Sequence, residues 1–170
     1  MDKLYDVGAE RAVLAGLLQH GIDAYVTISD IVSADAFGNA NNQAIYKCIE
    51  RCIEQEQKVD IAALLAAAQH LELSDTINTD QELRYINSLY DFPISSENVL
   101  SFAAQVKKFE FARKIKRLAN KVSKDVESVS GTESIDQIIQ ILENPVTDFL
   151  REDDGGERPE LIGESIEDYV

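Results

Sequence analysis

The apolar residues of this chain recur at three- and four-residue spacing over most of its length, and no stretch alternates convincingly, which leaves helices as almost the only elements it can form. Val13, Leu14, Leu17 and Leu18 make the first stripe, and Gly21 is expected to end that helix. Tyr25, Ile28, Ile31 and Val32 suggest a second helix, followed by a turn at Ser33, Ala34 and Asp35 and a polar stretch over 38–42. The third helix is the clearest, because Ile45, Cys48, Ile49, Cys52 and Ile53 fall on one face. Asp60 is placed to accept backbone N–H bonds at the start of a helix that turns Ile61, Leu64, Leu65 and Ala68 inward. A polar loop is expected over 74–78. Thr79 and Glu82 then have capping-box spacing ahead of Leu83, Ile86, Leu89 and Tyr90, and Pro93 prevents that helix from continuing.

From Ser96 a single pattern continues for about 30 residues. Its stripe runs through Val99, Phe102, Val106 and Phe109, then rotates to Phe111, Ile115, Leu118, Val122 and Val126. That rotation predicts a helix whose first half packs on the domain while its second half faces something else, as a projecting arm would. Ser130 and Gly131 give a tight connection, Ser134 and Gln137 form another capping box, and Ile135, Ile138, Ile139 and Leu142 mark a return helix. Pro145 is expected to break or kink it, with Val146 and Phe149 continuing the apolar surface. The predicted architecture is all-α: a globular helical domain over 1–110, a protruding antiparallel helical hairpin over 111–149, a flexible linker over 150–160 containing Gly155 and Gly156, and a short helix over 161–170.

Leu161, Ile162, Ile166 and Tyr169 have helical spacing over a segment shorter than the roughly 12–15 residues an isolated helix needs in water, so that helix is expected to dock on a neighbour. No Gly, Asn or Pro closes it after Tyr169 and Val170, which leads to the expectation that the chain is part of a longer protein. On the hairpin, Phe111, Ile115, Leu118, Val122, Ile135, Ile138, Ile139 and Leu142 offer more apolar surface than two helices hide by themselves. Burying one large aliphatic side chain contributes about 1.5–3 kcal/mol, so exposure of half of this set favours association of copies.

Composition narrows the function classes. The chain is 45% hydrophobic, yet no apolar run approaches the roughly 18 residues of a membrane span, and the N-terminus lacks the features of a signal peptide. A soluble cytoplasmic protein without a membrane partner is the expectation. Cys48 and Cys52 lie inside a helical stripe and read as reduced core thiols rather than metal or redox ligands. His20 and His70 fall near predicted helix ends without a His-Glu-x-x-His pattern. No phosphate loop, no dinucleotide fingerprint and no Ser, His and Asp set can be assembled, so neither a catalytic residue nor a cofactor or metal site is assigned. For each carboxylate the expectation is solvation.

The 31 acidic and 16 basic residues leave a net charge of −15, unevenly distributed. Lys107, Lys108, Arg113, Lys114, Lys116, Arg117, Lys121 and Lys124 lie close together with only Glu110 opposing, so that window carries +7 and the remainder −22. Direct contact with DNA would be confined to this basic stripe, because phosphate neutralisation by Lys and Arg dominates such affinity. A solvated helix face, or pairing with acidic surface on another subunit, is the favoured reading of the stripe.

The ordered signals resemble the N-terminal domain of the DnaB family of hexameric replicative helicases, from about Gly8 to Val170. The run from Glu10 and Arg11 through Ala12, Val13, Leu14, Ala15, Gly16, Leu17 and Leu18 is similar to the family's opening Glu-Gln-Ala-Val-Leu-Gly-x-Leu-Leu. Residues 31–37 ending in Phe37, with Ala44, Ile45 and Tyr46, resemble its Asp-Phe-Tyr and Ile-Phe block, and Val59, Asp60 and Ile61 its next helix start. The segment 83–89, Pro93, Ser96, Asn98, Val106 and Arg113, Lys114 and Ile115 follow its Tyr-Leu, Pro-Ser-x-x-Asn and Arg-Lys-Leu-Ile order. Two departures point to a divergent member, with phage origin as one reading. Asn42 or a neighbour stands where the family often has His, and Thr79, Asp80, Gln81 and Glu82 replace a usual Gly-Gly.

The resemblance implies a collar of N-terminal domains paired through helical hairpins into a trimer of dimers, above an ATPase tier that uses ATP and Mg and is absent from this chain. It further implies docking of primase, a helicase loader as a further partner, contact with DNA mainly through the whole ring, and docking of the helix carrying Leu161, Ile162, Ile166 and Tyr169 on an adjacent subunit. Two other classes fit the sequence less well. A free-standing acidic helical inhibitor that mimics DNA would exploit the −22, but its acids are scattered among caps and linker. A metal-binding helical bundle lacks the necessary Glu-x-x-His pairs.

Overall fold

The computed structural model describes residues 4–152, and every regular element among them is helical. In chain order these are α1 (Val7–Ile28), a short 3-10 turn (Ala34–Ala36), α2 (Ala40–Glu54), α3 (Ile61–His70), α4 (Ser74–Ile77), α5 (Asp80–Tyr90), α6 (Ser96–Glu127) and α7 (Ile135–Glu152). The chain divides into two compact units, Met1–Lys114 and Ile115–Val170.

In the first unit α1 is the central element. It is capped by Asp6, whose carboxylate accepts from the Ala9 N–H at 2.9 Å and from Gln105 Nε2 at 2.6 Å. Ala9, Glu10 and every residue over 12–18 are buried, so the helix is covered nearly all round rather than on one stripe. Gly21 interrupts it as the sequence predicts, at φ 58 and ψ −131, a conformation that favours glycine, and helix resumes at Ile22. Gln19 spans from α1 to the end of α5, donating to the carbonyls of Leu89 at 2.8 Å and Phe92 at 2.7 Å.

α2 begins at Asn39, whose side chain accepts from the N–H groups of Asn41 and Asn42, and its predicted face of Ile45, Cys48, Ile49, Cys52 and Ile53 is buried. Tyr46 donates to the Val32 carbonyl at 2.8 Å while its ring tilts against Phe37 at 5.2 Å between centroids, so the loop after α1 is held by one polar and one aromatic contact. Asp60 caps α3 through Ala63 N as expected. The predicted polar loop over 74–78 is instead one helical turn, α4, because Ile77 enters the core and is 1% exposed. Thr79 caps α5 by accepting from Glu82 N at 3.2 Å. The first half of α6 turns Val99, Ala103 and Val106 inward, and a Cβ placed on Gly16 would collide with Val99, so α1 and α6 approach at a position where only hydrogen fits.

In the second unit, α6 continues without interruption to Glu127, and a turn over 128–134 leads into α7. Gly131 has φ 88, and the Glu133 carboxyl is held below the usual range first by its own backbone N–H and then by Ser130 N, Ser130 Oγ and Gly131 N, from which it accepts and so pins the turn. Ser134 and Gln137 form the full reciprocal box, at 2.8 and 3.2 Å. Pro145 sits inside α7 rather than breaking it, and the helix reaches Glu152, three residues into the segment assigned to the linker. Pro145 leaves the Ile141 carbonyl without its N–H partner, but α7 has no fully buried residue, so solvent can take the donor's place.

Replacing Gly16 with Ala is expected to destabilise the chain by about 1–3 kcal/mol through overpacking, and a second change, Val99→Ala, should recover part of that loss. Urea unfolding of the single and double variants measures both.

Candidate self-association surface

Each helix of the second unit carries two adjacent apolar rows. On α6 the first row, Leu118 and Val122, is half-buried, and Ile115 (54% exposed) and Val126 (47%) stand beside it. On α7 the first row is Ile138, Ile141, Pro145 and Phe149, all half-buried, and the second is Ile135 (76%), Ile139, Leu142 (55%) and Leu150. Successive members of each row are three, four, eight or eleven residues apart, which keeps them on one helical face. One copy of the chain therefore covers the first row and leaves the second in water. Such contiguous exposed aliphatics mark association surfaces rather than ordinary exteriors.

The sequence-derived surface set is brought together except for one member. Ile115, Leu118, Val122, Ile135, Ile138, Ile139 and Leu142 all lie in the second unit. Phe111 belongs to the first unit and lies half-buried beneath two ammonium groups, Lys107 Nζ at 5.3 Å and Lys114 Nζ at 5.4 Å from its ring centroid. Val126, Ile141 and Leu150 extend the rows; their helical spacing could have placed them there from the sequence.

The basic stripe divides into two groups. Lys107 and Lys114 pair with Glu110 at 2.9 and 3.0 Å, and Arg113 donates to the carbonyls of Leu4 at 2.7 Å and Ala36 at 2.5 Å. Arg113 thus ties α6 to the start of the chain and to the 3-10 turn, whereas Lys107 and Lys114 neutralise Glu110 along their own helix. Lys108, Lys116, Arg117, Lys121 and Lys124 are exposed and make no ion pair among the described residues. Arg117, Lys121 and Lys124 share one face of α6, set well around the helix from Ile115, Leu118, Val122 and Val126.

The expectation that every carboxylate is solvated fails at three positions. Glu110 is 5% exposed; burial alone would raise its carboxyl, but the Lys107 and Lys114 ammonium groups outweigh burial and hold it below the usual carboxylate range. Glu10, 1% exposed, accepts from Gly38 N at 2.5 Å and Asn42 Nδ2 at 2.8 Å. Glu82, 8% exposed, accepts from Asn41 Nδ2 at 2.7 Å. The sequence offered a partial signal for each: Glu110 is flanked by lysines at i−3 and i+4, and Glu10 and Glu82 sit within apolar helix starts. Burial likewise raises the Cys48 thiol to about 12, with the neighbouring Cys52 adding to the shift, which suits a core residue. His20 Nε2 lies 3.1 Å from the Ile94 carbonyl at the break in α1, and His70 ends α3.

Among the described residues no group of three His, Cys, Asp or Glu is arranged to hold a metal ion, and no helix is long and apolar enough to cross a membrane. The candidate docking residues Leu161, Ile162, Ile166 and Tyr169, and the Gly155 and Gly156 linker, lie outside the described residues.

The family model described as the DnaB-like helicase N terminal domain matches residues 2–108. The chain belongs to that family. It is 26% identical over 129 residues to the replicative DNA helicase DnaB of Pasteurella multocida (strain Pm70), a match covering 76% of this chain and 27% of the relative. The chain thus spans about a quarter of that relative's length. The crystal structure of the N-terminal domain of DnaB helicase from Mycobacterium tuberculosis has the same fold, with a TM-score of 0.70 and 16% identity, covering 86% of this chain and 99% of that one. The match to the DnaB-like family model stops short of Ile115, the first residue of the second unit.

In the first unit the contacts of Glu110 with Lys107 and Lys114 make a pH-dependent contribution. Its carboxyl titrates lower in the folded chain than in the unfolded one, so the stabilisation is complete above the ordinary carboxylate range and is lost as pH falls through the folded value. Glu110→Gln is expected to lower stability at neutral pH by about 1–3 kcal/mol. The difference from wild type should narrow towards about pH 3, as read from urea midpoints across that range.

Proposed function

We propose that this chain is the assembly and docking domain of a replicative DNA helicase, in which copies pair through the exposed apolar rows of α6 and α7. In the family arrangement such pairs build a trimer of dimers, a collar above the motor tier of a hexameric ring. The observation that carries this reading is the unshielded second row, Ile115, Val126, Ile135, Ile139, Leu142 and Leu150. These six aliphatics are about half to three-quarters exposed, so pairing recovers only part of the about 1.5–3 kcal/mol that complete burial of each would contribute, and that part favours association. The exposed bases on α6 and the acids Asp136, Glu143 and Asp148 on α7 are suited to steering opposite helices of two copies towards one another.

On this reading the collar also receives primase, with a helicase loader as a further partner, and DNA is engaged mainly by the assembled ring in the bacterial or phage-infected cytoplasm. Unwinding with ATP and Mg belongs to a part of the full-length protein that carries a phosphate loop. This sequence has none, and among its described residues no group of three His, Cys, Asp or Glu is arranged to hold a metal ion, so no step of that chemistry is assigned to them. Ile162, Ile166 and Tyr169 tether adjacent subunits, and Gly155 and Gly156 allow the two tiers to rotate relative to one another.

Sedimentation equilibrium tests the pairing directly. The chain is expected to self-associate with concentration, and Ile135→Asp combined with Leu142→Asp should weaken the association at least about tenfold while leaving helix content unchanged. A monomer persisting to about 1 mM would overturn the proposal. In the full-length protein, Ile166→Asp should weaken ring assembly or ATP-coupled unwinding; wild-type behaviour would remove the tethering role.

A further inference from the structure

Arg117, Lys121 and Lys124 are exposed, share one face of α6 in the second unit, and pair with no carboxylate among the described residues. Like charges three and four residues apart repel along a helix, so this face is best satisfied by an anionic partner. The apolar rows lie well around the helix from it, so burial of those rows does not neutralise these bases.

Two kinds of anion can meet the face. A nucleic acid approaches against a net charge of −15, and three bases neutralise too few phosphates for more than weak, salt-sensitive affinity. The chain's own acids are already tethered, which places them at an effective concentration of about millimolar. Beyond α7, Glu160, Glu164 and Glu167 recur at spacings of four and three, the same spacings that separate Arg117, Lys121 and Lys124. On the helix that the sequence predicts over 161–170, these acids take one face and Ile162, Ile166 and Tyr169 the other.

Chain direction matches as well. After the turn over 128–134, α7 runs for 18 residues, about 27 Å, whereas Arg117 lies only about 15 Å before the end of α6 at Glu127. The end of α7 is therefore far enough from the turn to stand level with Arg117. Gly155 and Gly156 permit a second reversal, after which the chain runs parallel to α6. In that direction Glu160 meets Arg117, Glu164 meets Lys121 and Glu167 meets Lys124 in one register. The eight residues from Glu152 to Glu160 span up to about 26 Å, enough to pass around the helix.

We propose that segment 160–168 of the same chain lays its acidic face, Glu160, Glu164 and Glu167, along Arg117, Lys121 and Lys124 of α6. Exposed ion pairs are individually weak, so the contact depends on three acting together on a tether, and salt dissolves it. It turns Ile162, Ile166 and Tyr169 away from α6, the presentation that tethering of an adjacent subunit requires. Lys108 and Lys116 stay outside the set. The contact itself depends neither on tethering nor on pairing of copies.

The test places a nitroxide on Ser165→Cys in the whole chain and reads the amide signals of α6 by nuclear magnetic resonance. Cys48 and Cys52 are buried, and burial pushes both thiols up, so the label goes to the added cysteine. Loss of signal is expected at residues 117–124 in about 0.05 M sodium chloride, with recovery in about 1 M. Arg117→Glu, Lys121→Glu and Lys124→Glu together should abolish the loss, and adding Glu160→Lys, Glu164→Lys and Glu167→Lys should restore it. Absence of the loss at low salt, its persistence at high salt, or failure of the reversed charges to restore it would overturn the contact. Loss that arises only between a labelled chain and a separate isotope-enriched copy would move the acids to a neighbour and overturn the same-chain assignment. A mixed-sequence single-stranded oligonucleotide that shifts residues 117–124 without relieving the loss would assign the face to nucleic acid instead.

Discussion

The first unit is organised around a carboxylate that should, by composition alone, have been on the surface. Glu10 lies on the central helix, and its two oxygens take the N–H of Gly38 and the amide of Asn42, which joins α1 to the loop beneath it and to the opening turn of α2. Withdrawing a carboxylate from water is costly unless charge-assisted hydrogen bonds replace the lost hydration, and two short bonds do so here. Because α1 is buried almost all round, each neighbour must meet it at a fixed height. Glu10 sets that height for α2, Gly16 sets it for α6, and Gln19 sets it for the end of α5.

The two units deal with water differently. In the first, large side chains such as Leu14, Leu17, Phe37 and Tyr46 reach essentially zero exposure, and what remains outside is mostly polar. In the second, no residue of α7 is fully buried. A helix with apolar residues over about half its circumference can turn only part of that arc towards one neighbour, and the rest stays open. That difference is the basis of the proposed pairing, which follows from shape rather than from composition.

Charge follows the same division. The bases nearest the first unit, Lys107, Arg113 and Lys114, are drawn into contacts with Glu110 and with backbone carbonyls, so the stripe that looks uniform in the sequence is structural at one end and solvated at the other. The exposed group on α6 lies away from the apolar rows, which leaves it available for steering without obstructing burial.

Much of this was legible beforehand. Helical period marked the buried faces of α1 and α2, Gly21 marked the break, Asp60 and Thr79 marked helix starts, and Ser134 with Gln137 marked the beginning of α7, because each depends on neighbours within a few residues. The family was legible in the order of those same blocks. What failed required contacts distant along the chain: Ile77 pulls a polar loop into the helical turn α4, and Glu82 gives up its side of a capping box to meet Asn41.

By itself the sequence determined an all-helical chain with a self-sufficient first part and a surplus of apolar surface later on, since spacing and caps act locally. Only the tertiary structure decided which carboxylates leave water and which aliphatics stay in it. Burial is settled by what packs across from a residue, and nothing in the residues beside it carries that information.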